Sequence, residues 1–423
     1  MKKILLSAAA LISLSNVMAQ GPVITDTVIT GVGYANNIWY SLQNDETGTA
    51  VSSNWDIALA SSASQNSPLT ATILFNYKVG TLYAIPNATP ANSFDTLATV
   101  NFGALTELKN NDSTWAEGAL NRAAGPGQFD YGFGTYNMTT HNVDASRIFV
   151  VKYADNSVKK FYVNLLSVQG KYEIFSADLG NATTVTTQNL LLTPYGSKNF
   201  VYYKINTNTV VDREPASANW DFTFLQYPAA ISPGSQYGSF GILNNVGVQA
   251  VKVSPVDPAT YEDYQSQTFS NLTNAIGYNW KNAQAQPVAT VPTDVVYFVK
   301  VANGNIWKVV FTKFTTGSGA NSNMNVFTKQ NLTTLSVGDE DASTFISVYP
   351  NPANTIATVV IDSKANTTVK VLSMAGQVVS ENTTTSTGLQ TINVSTENLN
   401  NGVYLVEVSN GAATTTQRLV VQH

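Results

Sequence analysis

"SSNWDIALA", Ser52 to Ala60, returns later in the chain as "SANWDFTFL", Ser217 to Leu225. In each stretch a Trp is followed at once by an Asp, and apolar residues then alternate: Trp55, Ile57, Leu59, and Trp220, Phe222, Phe224. Alternation with period two is the pattern of a half-buried β-strand. It predicts one buried face carrying the Trp and the two residues beyond it. Asp56 and Asp221 then point the other way or sit at the strand end.

Aligning Trp55 with Trp220 brings other segments into register. "NNIWYSL" before the first matches "NFVYYKI" before the second. "FGTYNM" (Phe133 to Met138) matches "IGYNWK" (Ile276 to Lys281), and "VVKYADNSVKKFYV" (Val150 to Val163) matches "FVKVANGNIWKVVF" (Phe298 to Phe311). "TTQNL" and "TKQNL" close the two units. The order implies two copies of one domain, 20–195 and 196–337, each long enough to bury a core.

"ADNS" and "ANGN" read as two-residue hairpin turns, since Asn and Gly tolerate positive φ. That register sets Lys160 opposite Val151 and Lys308 opposite Val299, one Lys in the same place on each apolar face. A buried Lys needs a partner or a route to solvent. Three roles for the Asp stay open: pairing with this Lys, accepting from backbone N–H groups of a neighbouring turn, or standing solvated.

Composition supports the β reading. Of 423 residues, 43% are apolar and 12% charged, and Asn, Thr and Ser are abundant, which favours strands and turns over charged surface helices. A net charge of −5 with no Lys/Arg cluster argues against a phosphate-backbone binder. With no Cys, disulfides and thiolate chemistry are excluded. Lys2 and Lys3, the apolar run Ile4 to Leu14, and Val17-Met18-Ala19 predict a secretory signal peptide over 1–19. No later run is long enough to cross a bilayer as a helix.

The Trp-Asp strands and the two Lys-bearing hairpins resemble the HmuY-like family of secreted bacterial haem-binding proteins. The resemblance implies tandem all-β domains and, in the founding members, haem held between His or Met side chains. Haem iron takes axial ligands from His, Met, Cys or Tyr. The candidates here are His141, Met138 and Met324. Met138 and His141 lie three apart in one loop and are poorly placed to straddle a porphyrin.

The carboxyl end, 338–423, carries four motifs in order: Tyr349-Pro350-Asn351-Pro352, Met374-Ala375-Gly376, Gly402-Val403-Tyr404 and Arg418-Leu419-Val420. They resemble the sorting domain of the Bacteroidetes type IX secretion system. Alternating strands between turns predict an immunoglobulin-like sandwich of seven strands, with Pro350 and Pro352 on an open edge. The resemblance implies docking with outer-membrane secretion machinery and cleavage near Gly338 to Ser343. Release, or attachment to surface lipopolysaccharide, would follow, giving a secreted or surface-attached protein. Asp26-Thr27-Val28, Asp95-Thr96-Leu97 and Asp112-Ser113-Thr114 resemble an O-glycosylation triplet of that phylum.

No catalytic constellation stands out. There is no Gly-x-Ser-x-Gly, "GSG" at Gly317 to Gly319 being the nearest approach, and no His-Glu-x-x-His. Glu117, Asp130, Glu262 and Asp263 could supply a glycosidase pair, but nothing singles them out. The expectation is a non-enzymatic binding protein without a metal or an assigned cofactor, its ligand being haem, a glycan or a protein. The aromatic loops with Trp115, Tyr131, Phe133, Tyr136, Tyr278 and Trp280 are the candidate glycan platform.

Overall fold

The computed structural model describes residues 21–333 and 345–423, apart from 63–66, 68, 70, 182–183, 233, 283–288, 317–321, 364–365, 375 and 410–413. The signal-peptide region, the expected cleavage segment and Gly317 to Gly319 lie outside the described residues. The chain is all-β, as its composition implies, and Gly21–Thr333 forms one compact unit.

Two four-stranded sheets within that unit have the same build. In one, the order is Thr209–Val211, Phe200–Lys204, Ile57–Ala60, Ile73–Phe75. In the other it is Asp45–Val51, Asn36–Ser41, Phe222–Ser232, Ser235–Asn244. Each Trp-Asp strand therefore pairs with the hairpin that precedes the other one. Tyr203 lies opposite Ile57, and Tyr40 lies opposite Phe222. The cores follow this exchange. Val201, Tyr203 and Ile205 pack with Ile57 and Leu59, while Ile38, Tyr40 and Leu42 pack with Phe222 and Phe224. Strands from either side of residue 195 are thus mixed, and a linear cut there would divide both cores.

Two larger sheets also correspond. One runs Thr186–Leu191, Lys171–Asp178, Val158–Leu166, Phe149–Tyr153, Gly80–Ala84, with Val143–Ala145 and Gly134–Tyr136 added beside the third strand. The other runs Ile24–Ile29, Met324–Asn331, Ile306–Phe314, Val296–Lys300, Gln249–Val253. "TTQNL" is an outer strand here, whereas "TKQNL" lies in the strand paired with the Lys308 strand, so these closing segments are not equivalent. The outer place in the second sheet is taken by Ile24–Ile29. The aromatic segments differ too. Gly277 bridges Ile242, but the matching place beside Ile73 is filled by Gly118–Leu120.

The lysine hairpins turn through three residues. Val301 N–H donates to Asn305 at 3.0 Å and Tyr153 N–H to Ser157 at 2.9 Å. Gly304 (φ 93°) and Asn156 (φ 66°) take the left-handed position. The extra residue moves the register by one. Lys160 faces Val150 and Lys308 faces Phe298, not Val151 and Val299. A one-residue slip changes the face, so both lysines leave the main cores for the opposite side of the sheet. There Lys160, fully buried, donates to the carbonyls of Phe94 (2.5 Å) and Leu97 (3.1 Å), just past the short helix Pro90–Ser93. A cation at a helix carboxyl end meets unpaired carbonyls.

The Asp residues have other partners. Asp56 Oδ2 accepts from the Tyr153 hydroxyl at 2.8 Å and from Asn206 N–H at 3.2 Å. Asp221 Oδ2 accepts from Leu42 N–H at 2.6 Å. Of the three roles open from sequence, the structure selects backbone N–H groups, those at the end of the exchanged hairpin. The Asp–Lys pairing, another of the three, is not formed, because the lysines sit on the other face of a different sheet.

A second repeated device holds each Trp. Asn76 Nδ2 donates to the carbonyls of Ser52 and Trp55, both at 2.9 Å, and Asn245 Nδ2 to those of Ser217 and Trp220, both at 2.7 Å. Either Asn replaced by Ala leaves two buried carbonyls unpaired and should destabilise this unit by about 2–3 kcal/mol. Urea unfolding of the full chain measures it. A midpoint indistinguishable from wild type would show that the clamps carry no stability.

Candidate functional site

The strands Ile57–Ala60 and Phe222–Phe224 are buried on both faces. One face lies on the unit's own core and the other on a seam between the two four-stranded sheets. The Trp side chains go to this seam. Trp55 packs with Ala58, Ala60, Phe200 and Tyr202, not with Ile57 and Leu59. The sequence expectation of one shared face fails because each regular strand begins two residues after the Trp, at Ile57 and Phe222.

At the seam lies a cavity of about 70 Å³. Four of the chain's six tryptophans line it: Trp39, Trp55, Trp115 and Trp220. Leu74, Leu225 and Leu243 add apolar wall. Trp115 spans the two halves, its Nε1 donating to Asn244 O at 2.7 Å. Trp55 Nε1, Trp220 Nε1, Thr223 Oγ1 and the Tyr227 hydroxyl, on residues of the lining, are buried without a hydrogen-bond partner and are themselves closed off from the cavity.

A buried charged network borders the cavity. Arg213 stacks on Trp39, Trp55 and Tyr202, its guanidinium carbon 5.1–5.6 Å from the ring centres. Glu214, 2% exposed, accepts from Asn199 N–H at 3.0 Å and from the Tyr202 hydroxyl at 2.8 Å. Asn199 Nδ2 in turn reaches Asn245 Oδ1 at 2.7 Å, which ties the network to the Trp220 clamp. Burial pushes the Glu214 carboxyl up to about 7, against the pull of these donors. Burial also lowers the Arg213 guanidinium to about 10.

The other candidate residues fall elsewhere. His141 and Met138 occupy an exposed turn closed by His141 N–H to Asn137 O at 2.8 Å, with Met138 68% exposed. His141 Nδ1 is hydrogen-bonded to the Tyr136 hydroxyl at 2.7 Å. Met324 opens a strand of the other core. Phe133 and Trp280 are core residues, as most platform aromatics of a β-protein are. Asp130 is held by Arg147 and by Gly125 and Gly132 N–H, which keep its carboxyl below the usual range despite some burial. Glu117 accepts from Asn111 and Asp263 from Ser266. Among the described residues no cluster of His, Asp and Glu could hold a metal ion. Of the three short triplets, Thr27 and Thr96 are exposed. Asp112 is buried against Ala230 N–H.

The carboxyl-terminal unit is a sandwich of a three-stranded sheet (Phe345–Tyr349, Ile356–Ser363, Gly388–Ser395) and a four-stranded one (Val378–Thr384, Thr367–Ser373, Gly402–Ser409, Thr414–Val421). The Pro-Asn-Pro stretch acts through its middle residue. Pro350 and Pro352 have no N–H to give, and Asn351 replaces the ladder with its side chain: Nδ2 donates to Arg418 O at 2.7 Å, and Oδ1 accepts from Val420 N–H at 2.8 Å. Gly376 (φ 80°) closes the turn in the second motif. Tyr404, at the third, donates its hydroxyl to Asn400 O at 3.0 Å. The fourth motif, Arg418 to Val420, is the strand that receives Asn351.

Comparison with known proteins agrees with this division. A family model described as "Secretion system C-terminal sorting domain" matches residues 347–422, and one described as "HmuY protein" matches residues 196–328. The second match covers one repeat, where the sequence reading expected two in tandem. It starts with the Phe200–Lys204 hairpin, which packs in the other repeat's core. A solved structure titled "Biofilm associated protein - BSP domain" aligns over 95% of this chain and 82% of its own, at 12% identity and a TM-score of 0.17. No curated protein matches the chain. The sorting domain indicates export to the extracellular or cell-surface side. Among the described residues no helix is long and apolar enough to cross a membrane.

Two outcomes follow. Because the folded-state pKa of Glu214 lies above its unfolded value, the folded chain keeps a proton that the unfolded chain releases between about pH 4.5 and 7. Its contribution is therefore greatest in acid and is lost as pH rises through that window, by up to about 3 kcal/mol. Thermal melts should fall more steeply across pH 4.5–7 for wild type than for Glu214→Gln, and equal slopes would refute the assignment. Asn351→Ala removes two hydrogen bonds and should cost the sorting domain about 1–2 kcal/mol, read as a lower melting temperature and reduced export.

Proposed function

We propose that this chain is an exported, non-enzymatic binding protein, and that its ligand site is the tryptophan-lined seam between the two repeats. One observation carries the reading: each repeat contributes the Trp of its Trp-Asp motif to the wall of the same cavity. Small-molecule sites combine apolar and aromatic walls with a few convergent polar groups. The first repeat is a diverged copy of the HmuY-like second. Support for that comes from the matching sheet orders and from the paired Asp and Asn devices, with their partners at equivalent places.

The size of the cavity argues against haem at this place. At about 70 Å³ it is far smaller than a porphyrin. Ligand-observed NMR of the purified chain against a library of small neutral amides, polyols and aromatics is the test. The expected hits compete with one another, shift tryptophan emission, and are lost in Trp115→Ala. A library without such hits would overturn the seam as a ligand site.

A second reading has its own observation. The Tyr136 hydroxyl is hydrogen-bonded to His141 Nδ1, beside Phe129 and Tyr131. Tyr is a known axial ligand of ferric haem, and an imidazole that takes up the phenol proton strengthens it as one. On this reading His141 serves as the base and Tyr136 as the ligand. Haemin titration should then give a Soret band that Tyr136→Phe abolishes; unchanged absorbance on titration would eliminate it.

A further inference from the structure

The two hairpin lysines occupy the same place in the fold, and only one of them is satisfied. Lys160 gives its ammonium to the carbonyls just past the helix Pro90–Ser93. In the second repeat a different segment covers that side of the sheet, with Tyr261 and Tyr264 packed on Phe298. Lys308 is 5% exposed there, and among the described residues its ammonium makes no hydrogen bond and no ion pair. A buried charge without a partner is costly. Burial accordingly holds the lysine below its usual pKa range, although the nearby charges of Glu262 and Asp257 oppose the shift.

Lys308 lines a cavity of about 310 Å³. Lys308 and Val310 share one face of Ile306–Phe314, and Gln330 and Thr328 lie directly across from them on Met324–Asn331. The Gln330 amide is committed to Gly21 O at 3.3 Å. The Thr328 hydroxyl makes no hydrogen bond among the described residues. Some unpartnered polar atoms of this unit are sealed from solvent, such as the Tyr227 hydroxyl. The Lys308 ammonium and the Thr328 hydroxyl are not, and each keeps accessible surface. The two stand one diagonal step apart on paired strands, a spacing that a long side chain spans. Val23, Pro258 and Ala259 complete an aliphatic wall with Val310.

Charge decides among ligands. The lining holds one cation and one carboxylate, Glu262. A neutral ligand leaves the ammonium unpaired, and a cationic one is repelled by it. A phosphate or a dicarboxylate brings a second negative charge toward Glu262 and Asp257 with no second cation to meet it. We infer that this cavity binds a short aliphatic monocarboxylate, one oxygen on the Lys308 ammonium, the other on the Thr328 hydroxyl, and the hydrocarbon chain along the aliphatic wall. Charge-assisted bonds of this kind are the strong ones. The site shares no lining residue with the tryptophan seam, so the two readings stand or fall separately.

The test is an NMR titration of the full chain with acetate, butyrate, butylamine and inorganic phosphate at constant ionic strength. Butyrate should bind, acetate more weakly for want of the chain, and butylamine and phosphate not at all. Lys308→Met should weaken butyrate at least about tenfold, and the shape-preserving Thr328→Val about threefold. Glu262→Gln, which removes a like charge, should tighten it. Thr328→Val and Glu262→Gln carry the comparison if Lys308→Met does not fold. Absence of butyrate binding would overturn the assignment, as would equal binding of butylamine, or a butyrate affinity that neither Lys308→Met nor Thr328→Val alters.

Discussion

The fold depends on one constraint: a carboxylate at the start of a strand receiving the backbone N–H groups of a hairpin that belongs, by sequence, to the other repeat. Asp221 takes Leu42 N–H, and Asp56 takes Asn206 N–H. The main-chain groups of the same aspartates close the sheet, with Asp56 N–H on Tyr203 O and Asp221 N–H on Tyr40 O. The hairpin is thereby fixed in register at the point where the strand begins. Desolvation of these carboxylates raises both of their pKa values, and the donors work against it. Asp56 is a buried acceptor and Asp221 a half-buried one, and their geometry selects one pairing.

From that constraint the seam follows. Once the hairpins have changed places, the outer faces of the two four-stranded sheets must be apolar, because each faces its twin. Trp55 and Trp220 lie just ahead of the regular strands and are drawn to that side, held by Asn76 and Asn245 through their own carbonyls. The space is incompletely filled where four tryptophans meet. The sorting domain solves a related problem differently. The two prolines of its Pro-Asn-Pro segment lack N–H donors, and the amide side chain between them pairs with the neighbouring strand.

The β class and the seven-stranded tail were legible because period-two apolar patterns and turn residues are local signals. The sorting motifs were legible for the same reason, each being a turn or strand end with a fixed chemical task. The exchange was not legible, since both hairpins are nearly alike and either would satisfy the pattern of either strand. The lysine register failed on one residue: Asn156 and Gly304 signal a left-handed position but do not say whether the loop has two residues or three. The Asn clamps went unread although "FNYKV" and "NNVGV" place an Asn in the same spot after each Trp-Asp strand. Glu214 was missed because an isolated acidic residue in sequence carries no mark of burial.

The interchange of hairpins also fixes an order of events for a chain synthesised amino end first. Asn36–Ser41 leaves early, yet its neighbour Phe222–Ser232 arrives only after the whole first repeat has passed. Ile24–Ile29 waits longer still, for Met324–Asn331 at the very end of the second repeat. Contacts so distant along the polymer close slowly. Neither core can close until strands from both halves of Gly21–Thr333 are present.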